Sequence, residues 1–152
     1  KIPAATLNTM RDAIQAVTTD QLFGGKKVVL FSVPGAFTPT CSAKHLPGYI
    51  EKMDAFKAKD IEVACMAVND AFVMDAWAKS QNAPDDLIML ADGNGAFAEA
   101  MGLSLDASAF GMGKRSQRFA LYAEDGVVKQ LHIEAPGEMK VSGAEAMLEA
   151  VS

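Results

Sequence analysis

The sequence predicts an α/β protein with a central mixed sheet flanked by helices, and three observations carry that reading. Two continuous apolar runs, 27–33 and 61–68, are each followed by a segment with helical spacing. Two later runs flank the turn signal Glu124-Asp125-Gly126. A last segment, after Ser142, carries the residues of a helix start. Strands alternating with helices, then a hairpin and a closing helix, describe a layered α/β sandwich.

Each element has its own justification. Lys27-Val28-Val29-Leu30-Phe31-Ser32-Val33 is the first clear strand, unbroken in apolar character as a strand covered on both faces should be. Pro34-Gly35 ends it. A helix is expected to begin at Thr38, with Thr38 as cap and Pro39 at the first helical position. Leu46, Ile50, Met53 and Phe56 then recur at the spacing of one buried face. Ile61 to Val68 reads as a second buried strand, and Asn69-Asp70 opens another helix through Phe72, Val73, Ala76 and Trp77. Leu87 to Leu90 is a third strand, followed by the turn Asp92-Gly93-Asn94-Gly95 and a short helix around Phe97 and Met101. The runs 117–122 and 126–133 form a hairpin, because Asp-Gly supplies the positive φ of a tight turn. Ser142-Gly143-Ala144-Glu145 has the form of a capping box ahead of Met147 and Leu148. This order fits a thioredoxin-like fold, although alternation alone does not separate it from a flavodoxin-like sheet.

A chain of 152 residues has the usual size of one domain, and no repeat or composition break divides it, so residues 1–152 are expected to form a single domain. A formal net charge of -5 argues against attraction to nucleic acid. No apolar run approaches the ~18 residues of a membrane span, since the run from Val28 stops at Pro34. Two cysteines, Cys41 and Cys65, do not make a disulfide framework. Neither Gly24-Gly25 nor Gly111-Met112-Gly113 extends to a phosphate-loop pattern, and no His/Cys cluster has zinc spacing, so neither cofactor nor metal is expected. The chain opens Lys1-Ile2-Pro3 without an initiator methionine. A cytoplasmic location is expected, or an organellar one if a leader has been removed.

The chemistry gathers in Pro34-Gly35-Ala36-Phe37-Thr38-Pro39-Thr40-Cys41. With Thr38 as cap, Cys41 falls at the third helical position, where unpaired backbone N–H groups and the positive dipole end favour an anion. A thiol so placed has a lowered pKa, and the thiolate is the nucleophile. The Thr38 hydroxyl can donate to the sulfur, and Pro34 can shield the thiolate from water. A small buried cysteine that merely packs is the competing reading.

Pro34, Thr38 and Cys41 form the Pro-x-x-x-Thr-x-x-Cys pattern, and the run from Val33 to Ser42 followed by His45-Leu46-Pro47-Gly48 resembles the type II, or type-five, peroxiredoxins. The stretches 63–73 and 115–119 agree with the same likeness, which covers nearly the whole chain. The resemblance implies a thioredoxin-like fold and a thiol peroxidase, an antioxidant enzyme acting on hydrogen peroxide and alkyl hydroperoxides. By it Cys41 is the peroxidatic nucleophile, while Thr38 and Arg118 hold the peroxide and stabilise charge. Animal-type members carry a resolving cysteine in a late loop, and the corresponding stretch 134–142 contains none. This implies regeneration of the plant and bacterial kind, by glutathione and glutaredoxin, with thioredoxin as the other candidate reductant, and a homodimer.

An arginine stays charged at any relevant pH and offers a fork of donors, so Arg118 beside a thiolate would lower the thiol pKa and steady charge on the departing oxygen. Arg115 is the competing arginine, and Lys114 is expected to face solvent. His45 follows Cys41 by four residues on one helix face and is read as a structural histidine at the end of the pocket. His132 has no evident partner and reads as a strand-surface residue. Cys65, amid Val63, Ala64, Met66 and Val68, reads as a buried inert thiol; as a resolving cysteine it would need a Cα within about 7 Å of that of Cys41. A dithiol oxidoreductase would need Cys-x-x-Cys, and Thr38 stands where its first cysteine would be. A peroxide-sensing, partner-binding module without turnover remains the alternative, since it shares the sulfenic acid step.

Overall fold

The computed structural model describes residues 6–11, 13–35, 45–83, 87–93, 95–108, 111, 113–134 and 141–151. The strands are β1 (Thr6–Arg11), β2 (Ala13–Thr18), β3 (Lys27–Val33), β4 (Ile61–Ala67), β5 (Ile88–Ala91), β6 (Ser104–Asp106), β7 (Lys114–Ser116), β8 (Phe119–Glu124) and β9 (Val127–Ile133). The helices are α1 (Thr19–Phe23), α2 (Leu46–Lys57), α3 (Ala71–Ser80), α4 (Ala96–Ala100) and α5 (Ala144–Ala150). Among the described residues, seven strands form one mixed sheet in the order β2-β1-β5-β4-β3-β8-β9. Strand β3 runs parallel to β4 and antiparallel to β8, so the centre of the sheet holds the change of direction. Strands β6 and β7 make a separate two-stranded ribbon.

Side chains alternate across the sheet, as the strand period of two requires. Val29, Phe31 and Val33 of β3 join Val63, Cys65 and Ala67 of β4 under α2, α3 and α5. Val28 and Leu30 join Ala64 and Met66 on the opposite face, against Leu22 and Phe23 of α1 and Phe97 of α4. Helices thus cover both faces, which accounts for the unbroken apolar runs of the central strands. The hairpin turn is as expected: Asp125 (φ 48°) and Gly126 (φ 77°) both take the left-handed region that a tight β8–β9 connection demands.

Several elements depart from the sequence expectation. The hairpin β1–β2 precedes the first strand that was expected, and the β6–β7 ribbon is also additional. Strand β5 begins at Ile88, not Leu87, and ends at Ala91. Helix α3 does begin after Asp70, whose carboxylate accepts from the Val73 N–H at 2.8 Å. Its buried residues are Ala71, Met74 and Trp77, while Phe72 is 62% exposed. Helix α2 buries Leu46, Tyr49, Met53 and Phe56, with Ile50 only half-buried. The expected helix start at Thr38 and Pro39 lies outside the described residues. At α5 the capping box does not form: Gly143 is the N-cap and makes no side-chain capping bond. The Ser142 hydroxyl instead donates to the Glu134 carboxylate at 2.7 Å. Ser142 lies one residue ahead of the N-cap, so its side chain is not placed to accept from the first helical turn and serves the Glu134 carboxylate instead.

Candidate active site

Pro34 sits half-buried just past the C-terminal end of β3. In the antiparallel register Ser32 of β3 lies opposite Phe119 of β8. Arg118, one residue before Phe119, therefore reaches the same end of the sheet as Pro34. The chain then runs through 36–44, which carries Thr38 and Cys41 and lies outside the described residues, and re-enters at His45. His45 itself has helical backbone dihedrals (−69°, −59°) directly ahead of α2.

At this end four residues close a ring of hydrogen bonds. The His45 Nε2 lies 3.0 Å from the Ser142 carbonyl oxygen. A carbonyl only accepts, so Nε2 carries the proton and Nδ1 presents its lone pair. The Arg118 guanidinium Nη1 donates to that Nδ1 at 2.7 Å. The Glu134 backbone N–H donates to the Arg118 carbonyl at 2.9 Å. The Glu134 carboxylate then accepts at one oxygen from the Ser142 N–H and hydroxyl, both at 2.7 Å, and from the Val141 N–H at 2.8 Å. Arg118, His45, Ser142 and Glu134 thus hold one another. Arg118 is half-buried, and the other three are buried.

The protonation states follow from these surroundings. Burial and the Arg118 charge hold His45 at about 4, against the pull of the Ser142 carbonyl and the Glu134 charge. A proton on Nδ1 would point a second cation at the guanidinium, so the neutral ring is the working form. Tyr49 donates its hydroxyl to the same Ser142 carbonyl at 2.7 Å, and burial first, then Cys65 and Glu134, pushes its pKa well above 10. The Tyr49 ring stacks on Phe31 with centroids 3.9 Å apart, and the His45 ring lies 4.9 Å from that of Phe31. Such aromatic pairs add about 0.5–1.5 kcal/mol beyond area burial, which fixes the imidazole on its apolar side while hydrogen bonds fix its polar edge.

The rival residues separate cleanly. The Arg115 Nη1 donates to the Val68 carbonyl at 3.1 Å, tying β7 to the chain just past β4. Lys114 is exposed and pairs with Glu99, also exposed. Contrary to expectation His132 has a partner: its Nδ1 donates to the Val141 carbonyl at 2.7 Å. Cys65 lies in the middle of β4 between Phe31 of β3 and Met89 of β5, with no exposure. Sequence reasoning missed Tyr49, Glu134 and Ser142 as members of this cluster. The one available signal, Ser-x-x-Glu at 142–145, pointed to a helix cap instead. Among the described residues no group of three His, Cys, Asp or Glu is placed to hold a metal, and no helix is long and apolar enough to cross a membrane.

Comparison with known proteins places this geometry. The Redoxin family matches residues 1–148. The chloroplastic peroxiredoxin-2E of Arabidopsis thaliana is 46% identical over 99% of this chain and 67% of its own length. The reduced Prx3 of Vibrio vulnificus, solved in complex with hydrogen peroxide, is 50% identical with a TM-score of 0.95, covering 99% of this chain and 96% of that one. The antioxidant protein of Plasmodium falciparum, described as a 1-Cys peroxiredoxin, is 30% identical with a TM-score of 0.90 over 99% of this chain and 95% of that one. The thioredoxin-like arrangement of helices about a mixed sheet, the long motif around Cys41 and these likenesses agree, and the chain belongs to the peroxiredoxins, thiol peroxidases, as a member of their type II branch.

Proposed function

We propose that Cys41 is the peroxidatic residue and that it reduces hydrogen peroxide and alkyl hydroperoxides. The Cys41 thiolate attacks one peroxide oxygen, the O–O bond breaks, and the departing oxygen takes a proton to leave as water or an alcohol. Cys41 is left as a sulfenic acid. Thr38 and Arg118 hold the peroxide, Pro34 shields the thiolate, and the Arg118 charge steadies both the thiolate and the departing oxygen. One observation supports this reading most: the guanidinium is fixed by His45 at the sheet end where the chain passes into the segment bearing Cys41. The peroxide complex of the Vibrio vulnificus relative supports the substrate class.

Glutathione regenerates the enzyme in this reading. Its thiol condenses with the sulfenic acid, giving a mixed disulfide and water, and a glutaredoxin thiolate then exchanges onto the glutathione sulfur and releases the Cys41 thiolate. The burial of Cys65 supports an external thiol over an internal one, as does the 1-Cys description of the Plasmodium relative. The enzyme is read as one thioredoxin-like domain over residues 1–152 and as a homodimer. It works in the cytoplasm, or in a plastid or other organelle where a leader precedes it, as the name of the Arabidopsis relative suggests.

The test is a pair of variants assayed with glutathione plus glutaredoxin and, separately, with thioredoxin. Cys41→Ser abolishes peroxide consumption and Cys65→Ser keeps most of it. Equal loss from both would replace the one-cysteine cycle with a two-cysteine one. A single round of oxidation without sustained turnover under either reductant would instead favour the sensing module.

A further inference from the structure

We propose that His45 is a positioning residue for Arg118, acting as a neutral hydrogen-bond acceptor whose tautomer is selected by the Ser142 carbonyl. The inference rests on the reading of Arg118 as the peroxide-binding arginine and adds the device that aims it. An arginine side chain has four rotatable bonds and about 2 kcal/mol of rotamer entropy, so a half-buried one does not hold a single direction unaided. Here one guanidinium nitrogen is fixed at 2.7 Å on His45 Nδ1, which orients the whole planar fork. A neutral imidazole accepts from the fork without bringing a charge of its own to the bond, so it sets the direction of the guanidinium by hydrogen bonding.

The acceptor is itself built. Nδ1 has a lone pair because Nε2 is committed as donor to the Ser142 carbonyl. That carbonyl stays in place because the Glu134 carboxylate holds the Ser142 N–H and hydroxyl. Glu134 is in turn anchored to the Arg118 backbone. Ser142 thus links the Glu134 carboxylate to the His45 ring through hydrogen bonds. A structural histidine that only filled space would be replaceable by any side chain of its volume; this one must accept at Nδ1 and donate at Nε2. Glutamine can do both, through its amide oxygen and NH2 group. Leucine can do neither.

The experiment is a double-mutant cycle on the peroxide step followed by stopped flow, using His45→Leu, His45→Gln, Arg118→Met and the His45→Leu/Arg118→Met pair. A misplacement of about 1 Å in a positioned group costs roughly 10²-fold in rate. His45→Leu is expected to lose about that much, and His45→Gln to recover to within about ten-fold of the parent. The pair should lose no more than Arg118→Met alone, because a residue that acts through another adds nothing once its partner is gone. Losses that multiply in the pair, or a folded glutamine variant as slow as the leucine one, would overturn the proposal. A slow Arg118→Met beside an unimpaired His45→Leu removes the positioning role and leaves the catalytic reading intact. An unimpaired Arg118→Met overturns both. Nitrogen-15 NMR of the parent at neutral pH gives a readout that needs no variant to fold. It should show His45 protonated at Nε2 and bare at Nδ1, and an imidazolium or the opposite tautomer would refute the arrangement.

Discussion

Acid should weaken this fold through His45, by an amount the structure sets. The ring is held at about 4 in the folded protein against an ordinary value of 6.5, because burial and Arg118 both oppose its protonation. The unfolded chain takes up that proton as pH falls through about 6.5, while the folded chain does not until about 4. The folded value is the lower one, so the stabilisation is fully present above about 6.5, declines as pH falls, and is gone below about 4. At about 1.36 kcal/mol per pH unit, the interval between 6.5 and about 4 amounts to about 3 kcal/mol. Carboxylates titrate at the acid end of the same window, so the measurement is a difference. Urea unfolding of wild type and His45→Gln is followed by circular dichroism between about pH 7.5 and about pH 4. Carboxylate contributions cancel between the two proteins, and wild type should lose about 3 kcal/mol more than the variant. Stability curves that run parallel within about 1 kcal/mol would mean that the ring is protonated in the folded protein, and the Arg118–His45 bond as described would be wrong.

Two further outcomes follow from the same cluster. Arg118→Met should slow attack on peroxide by about 10²–10³ in a stopped-flow assay, with the circular dichroism spectrum unchanged; a rate within a few-fold of wild type would remove Arg118 from the site. Glu134→Gln weakens three charge-assisted bonds at one buried oxygen and should cost about 2–4 kcal/mol. At roughly 2–4 °C per kcal/mol for a chain of this size the Tm should fall measurably, and an unchanged Tm would show that the carboxylate charge is not what holds 141–142.

The parts of the fold that were legible are those whose local pattern admits one solution. The runs that became β3 and β4 are apolar without interruption because both their faces are covered, and Asp125-Gly126 can supply the two positive φ values of a tight hairpin. The β1–β2 hairpin was not legible, since Thr6, Asn8, Thr9 and Gln15 break up the apolar positions of Leu7, Ile14 and Val17. Its strand identity comes from pairing with each other and with β5. The helix through Phe72, Val73, Ala76 and Trp77 was legible as α3, but which side of it is buried was not: Ala71, Met74 and Trp77 are buried and Phe72 is exposed. In the candidate site the motif spacing gave Pro34, Thr38 and Cys41 and the resemblance gave Arg118. The partners that orient Arg118 were invisible for a plain reason. His45 is 73 residues from Arg118 and 97 from Ser142, and no local pattern encodes an acceptor supplied from that distance.

Cys65 has one more consequence. It lies in a central strand with no exposed surface, and it is one of only two sulfhydryl positions in the chain. In a Cys41→Ser background a thiol reagent can reach it only during an opening of the sheet centre. When closing outpaces labelling, the labelling rate is the intrinsic rate multiplied by the opening equilibrium. One sulfur then serves as a calibrated meter of global stability, readable without denaturant and at low concentration. Any binding partner that favours the closed sheet would announce itself as slower labelling.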